Sequence, residues 1–121
     1  MRLVRFEIEG VTRFGALRAD SVVPLVGDTM AAALKADASG DPVPLSEVTL
    51  LAPVAKPGKI LGIGVNYAAH AAESVSFIDT KKPDVQKWFN KQVTAVNGPY
   101  ADVHLPKVSE QLDYEGELVV I

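Results

Sequence analysis

The chain has 121 residues, 48% hydrophobic and 22% charged, with a net charge of −3, the profile of an ordinary globular domain with its own core. The slight acidic excess argues against a nucleic-acid partner, and the absence of cysteine excludes disulfides, thiolate nucleophiles and thiolate zinc sites. No apolar stretch approaches a membrane span, and "MRLVRFEIEG" is too interrupted by charge for a signal peptide, so a cytoplasmic protein is the expectation.

The opening run alternates. Val4, Phe6 and Ile8 project one way and Arg5, Glu7 and Glu9 the other, the period of a half-buried strand. Gly10 and Gly15 punctuate the next stretch, and "SVVPLVG" is a second short strand. Asp28 stands as the N-cap of an alanine-rich helix, "TMAAALKADA", which Gly40, Pro42 and Pro44 end. "SEVTLLAPV" predicts a further strand. The prolines, glycine and lysines of "APVAKPGKI" then mark an internal boundary. Residues 1–52 are expected to form a small β-rich subdomain and 59–121 the start of a second unit.

After the boundary, "KILGIGVNYAAHAAE" runs from an apolar strand through Gly62-Ile63-Gly64 into an alanine-rich helix. The two glycines suggest a dinucleotide fingerprint, but Tyr67 occupies the third glycine position and no second βαβ unit follows. A tight strand-to-helix turn is the simpler reading, with Asn66 as a cap. "SVSFIDTKKPDVQK" has the composition of a loop or lid, "WFNKQVTAV" of a strand, and "NGPYADVHLPKVSEQ" of a turn-rich connection.

Two constellations could carry chemistry. His70 and Glu73, three apart on a helix, share a face, where a carboxylate raises the basicity of an imidazole and orients it as a general base. The same spacing also fits a solvated histidine beside an incidental acid. In "LDYEGELVVI", Asp113, Glu115 and Glu117 alternate with Leu112, Tyr114, Gly116 and Leu118. On a strand the acids would lie on one side, about 6.5–7 Å apart, close enough for Glu115 and Glu117 to reach one ion. Oxygen ligands favour a hard cation such as Mg²⁺ or Mn²⁺. A strand with one acidic face in water reads the same way.

Taken together and in this order, "GIGVNYAAHAAE", "KPDVQKWFNKQ", "NGPYADVHLP" and "SEQLDYEGEL" resemble the fumarylacetoacetate hydrolase family from about Lys59 onward. The resemblance implies a mixed α/β, β-dominated fold, with a small N-terminal β subdomain and part of the family's β roll. It implies that Glu115 and Glu117 bind a divalent metal, Mg²⁺ or Mn²⁺, and that His70 and Glu73 form a catalytic dyad on a lid. Lys91, in "FNK", would face the site and bind substrate oxygens, although a surface lysine beside a core aromatic fits too. His104 is assigned no chemical role.

The expected activity is metal-dependent chemistry on a small 2-oxo acid: hydrolysis of an acylpyruvate, decarboxylation, or isomerisation of a hydroxymuconate-type dienoate. The expected partners are that substrate and a second copy in a homo-oligomer, a dimer, with no nucleic acid and no membrane.

The family carries a third metal-binding aspartate well downstream of the glutamate pair. The resemblance therefore makes residues 1–121 the N-terminal portion of a member, with half a metal site and negligible activity alone. Leu118–Ile121 form an apolar run expected inside a sheet, where burial is worth on the order of 6–12 kcal/mol. The alternative reading is a non-catalytic fragment or interaction module, stable only when paired with other chains.

Overall fold

The computed structural model describes residues 1–74 and 84–121. Its architecture is mixed and β-dominated. Five antiparallel strands form one sheet in the order β4-β3-β2-β1-β5: β1 (Arg2–Ile8), β2 (Val11–Leu17), β3 (Ser21–Pro24), β4 (Val43–Pro44) and β5 (Thr49–Leu51). A second sheet pairs β6 (Ile60–Gly64) with β7 (Lys87–Lys91). Helix α1 spans Met30–Ala33 and α2 spans Ala68–Ser74.

The alternation read from β1 holds, since Phe6 is fully buried and Val4 and Ile8 are half-buried. Strand β2 is a finding that the sequence reading missed. Its register, Val4 opposite Gly15 and Phe6 opposite Arg13, places Gly15 on the same face as Phe6. A Cβ on Gly15 would stand 2.3 Å from Val22 Cγ1 and 2.9 Å from Phe6 Cε1. The glycine is thus a seat for two core side chains within a strand and breaks nothing. The turn joining β1 to β2 has Glu9 at φ 49° and Gly10 at φ 75°, the paired positive φ that a two-residue type I′ hairpin requires.

The opposite face of the sheet is covered by α1, where Phe14, Leu25 and Ala33 form a buried cluster with Leu3, Met30 and Ala36 packed against it. This helix is shorter than the composition suggests, and Thr29, not Asp28, caps it. Thr29 is extended (φ −123°, ψ 154°), and its hydroxyl oxygen accepts a hydrogen bond from Ala32 N at 3.2 Å. Beyond Leu34 the bonds tighten to Lys35 N→Ala32 O and Ala36 N→Ala33 O. Only Ala33 in the helix is buried, and a single turn without an apolar stripe has little to sustain it.

Three further expectations need correction. "SEVTLLAPV" splits into a 3₁₀ turn at Leu45–Glu47 and the short β5, which pairs with β1. "WFNKQVTAV" is a strand only to Lys91, and a 3₁₀ turn at Val93–Ala95 follows. No strand is assigned within residues 112–121, and Leu118–Ile121 are 73–92% exposed instead of lying inside a sheet. An extended chain becomes a strand only by pairing with a backbone. The long-range bond recorded for this segment goes to a side chain: Leu118 N–H donates to Tyr67 Oη.

Candidate functional site

Gly62 and Gly64 lie inside β6, so the turn into α2 is made elsewhere. Val65 takes a left-handed conformation, φ 54°, which costs a β-branched residue roughly 1–2 kcal/mol. Tyr67, not Asn66, stands immediately before α2, and its carbonyl accepts the helix's first hydrogen bond from Ala71 N at 2.9 Å. His70 and Glu73 both follow on α2 and both are exposed. Most of the stretch read as a lid, residues 75–83, lies outside the described residues.

In the second sheet Gly62 stands directly opposite Phe89, and Ile60 opposite Lys91. The Phe89 ring lies across the glycine, since a Cβ there would stand 2.4 Å from Phe89 Cζ. Lys91 Nζ sits 5.6 Å from the centroid of the same ring, within the range of a cation–π contact. Glycine, aromatic ring and ammonium group therefore stack across the two strands.

This stack forms one wall of an open hollow of about 930 Å³, and residues 113–120 contribute the other. Asp113, Glu115 and Glu117 line it together with Lys59 and Lys91, so three carboxylates share the space with two ammonium groups. Asn66, Tyr67, Trp88 and Phe89 complete the polar and aromatic lining. The consecutive residues Leu118, Val119 and Val120 line the same space, so the segment lies along it and does not present one face alone. His70 and Glu73 are not among the lining residues. His104, set aside in the sequence, is exposed. Trp88, Phe89 and Tyr67 were not singled out as site residues. The usable signal was Gly62 itself, a glycine in a strand that marks a close approach.

Oxygen donors of this kind suit a hard divalent cation, but their number does not complete a site. Among the described residues no group of three or more His, Asp or Glu side chains is placed to hold one ion. No helix among them is long and apolar enough to cross a membrane.

Residues 59–121, just over half the chain, match the family model described as fumarylacetoacetate (FAA) hydrolase C-terminal. The chain belongs to the fumarylacetoacetate hydrolase family. Residues 1–53 match a second model, described as Rv2993c-like, N-terminal. Among curated relatives of the family, a mitochondrial oxaloacetate tautomerase of Bos taurus is 42% identical over 79 residues, 65% of this chain and 24% of the relative. A mitochondrial oxaloacetate tautomerase of Homo sapiens is 40% identical over 94 residues, 77% of this chain and 29% of the relative. A 2,4-didehydro-3-deoxy-L-rhamnonate hydrolase of a Sphingomonas strain is 37% identical across 100% of this chain and 44% of the relative. The chain thus spans about a quarter of the length of the tautomerases it matches. No solved structure matches it.

Proposed function

We propose that the chain is the N-terminal part of a divalent-metal-dependent enzyme acting on a small 2-oxo acid, by hydrolysis, decarboxylation or keto–enol isomerisation. The observation that supports this most is the shared hollow, which Glu115, Glu117 and Lys91 line together with Asn66 and Tyr67 of the turn that leads into the helix of His70 and Glu73. The relatives' names, a tautomerase of oxaloacetate and a hydrolase of a didehydro-deoxy sugar acid, point to the same chemistry at carbon next to a carbonyl.

In this reading Glu115 and Glu117 supply two oxygen donors to Mg²⁺ or Mn²⁺, and the remaining donors come from outside residues 1–121 and from water, since Mg²⁺ takes about six. The donors among the described residues do not by themselves complete the site. Lys91 pairs with a substrate carboxylate or oxo oxygen. His70, oriented by Glu73, moves a proton at the reacting carbon or activates water. The division between the two sequence regions falls at Pro53–Gly58, so limited proteolysis should nick there first.

The test is made on this sequence continued to the length of its relatives. Activity on acylpyruvates or oxaloacetate should disappear in excess chelator and return with Mn²⁺. Glu115→Gln should raise the Mn²⁺ concentration needed, whereas His70→Ala should leave it unchanged and cut kcat by about 10²- to 10⁴-fold. Full turnover in chelator would count against the metal role.

Residues 1–121 alone should show negligible turnover. A second reading, association through uncovered apolar surface, is favoured by the exposure of Trp88 (58%) and of Leu118 (87%). Sedimentation of the chain decides it, with a dimer or larger assembly expected and a monodisperse monomer as the contrary result.

A further inference from the structure

Tyr67 joins two segments of the hollow that are 51 residues apart in sequence. Its phenol oxygen accepts a hydrogen bond from Leu118 N–H at 2.8 Å, while its carbonyl accepts from Ala71 N at 2.9 Å and so begins α2. The backbone that delivers it there is strained, with Val65 two residues earlier at φ 54°. Such strain persists only where the surroundings over-determine the conformation.

The donor matters for a geometric reason. The N–H of Leu118 belongs to the planar peptide unit that also contains the carbonyl of Glu117. Holding this N–H therefore fixes the plane next to the Glu117 Cα and restricts the direction in which that carboxylate leaves the chain. Without a backbone ladder on residues 112–121, a side-chain acceptor has an unusually large share in placing the segment.

We propose that Tyr67 is a positioning residue, which acts through the Glu117–Leu118 peptide to hold the acidic segment against the turn that leads into α2, the helix of His70. The proposal rests on the reading of Glu117 as a metal ligand only for its consequence in the enzyme, and the tie itself is tested separately.

Tyr67→Phe keeps the ring and removes the acceptor. In the 121-residue chain, exchange of the Leu118 amide should accelerate about five-fold, the equivalent of one net hydrogen bond of ~1 kcal/mol, and NMR order parameters at Glu117 and Leu118 should fall. Tyr114→Phe, at a residue 92% exposed in the same segment, should change neither. Tyr67→Leu removes ring and acceptor together and should speed Leu118 exchange at least as much, so the proposal stays decidable if one variant folds poorly.

Titration with Mn²⁺ alone, on the sequence continued to the length of its relatives, then reads the consequence. Tyr67→Phe should raise the midpoint for broadening of the Glu115 and Glu117 resonances about five-fold, without changing the unfolding midpoint. Unchanged Leu118 exchange and unchanged Glu117 order in Tyr67→Phe overturn the proposal. Failure of that longer, unsubstituted chain to bind Mn²⁺ overturns instead the ligand reading, while the exchange data still decide the tie.

Discussion

Strands β1–β5 bury Phe6, Ala16 and Val22 completely, whereas β6 and β7 leave Leu61 and Trp88 more than half exposed. Both sheets use the same local device. Gly15 leaves room for Phe6 and Val22, and Gly62 leaves room for the ring of Phe89. In the first sheet the glycine closes a core whose other face is sealed by α1. In the second it lays an aromatic ring flat along the wall of an open hollow and brings Lys91 over it. The difference teaches that a close approach of side chain to backbone builds a core only where the neighbours are themselves shut off from water, as Phe6 and Val22 are. Where they stay exposed, the same contact shapes a surface for something else to occupy.

Four substitutions test this contrast, in falling order of effect. Phe6→Ala empties the centre of the first sheet and should cost about 3–5 kcal/mol in urea unfolding, a loss comparable with the whole stability of a small domain. Gly15→Ala forces a methyl group against Val22 and Phe6 and should cost about 1–3 kcal/mol. Glu9→Asn replaces a residue strained at φ 49° by one that tolerates positive φ, and thermal unfolding should show a gain of about 0.5–1 kcal/mol.

Gly62→Ala is the closest counterpart of Gly15→Ala, yet Phe89 is 42% exposed and can swing aside. Its effect on stability should stay within about 0.5 kcal/mol, while the displaced ring shifts the side-chain resonances of Lys91. A loss as large as that of Gly15→Ala would erase the contrast between the two sheets.

Much of the first sheet was legible because alternation along β1 is a direct image of burial on one face. Strand β2 escaped because Arg13 and Gly15 mask its period, and a glycine is equally a turn signal and a seat for a neighbour. The one-turn helix and the split of "SEVTLLAPV" escaped for a related reason. Propensity nominates a residue for helix or strand, but packing decides how far the element runs. In the site, the spacing of Asp113, Glu115 and Glu117 was legible, and so was the order of the motif blocks. Tyr67 was not, because a side-chain acceptor that meets a backbone 51 residues away leaves no periodic trace.

What the sequence determined by itself is the chemistry on offer and the family. It shows carboxylates without cysteine, an imidazole three residues from a carboxylate, and motif blocks in an order that marks the fumarylacetoacetate hydrolase family over residues 59–121. Only the tertiary structure decided that the three acids, two lysines and the Phe89 ring face a common hollow, and that Tyr67 ties its two walls. The reason is that residue type and spacing act along the chain, whereas a hollow is made by segments far apart in it, whose meeting depends on which backbone groups find partners across space.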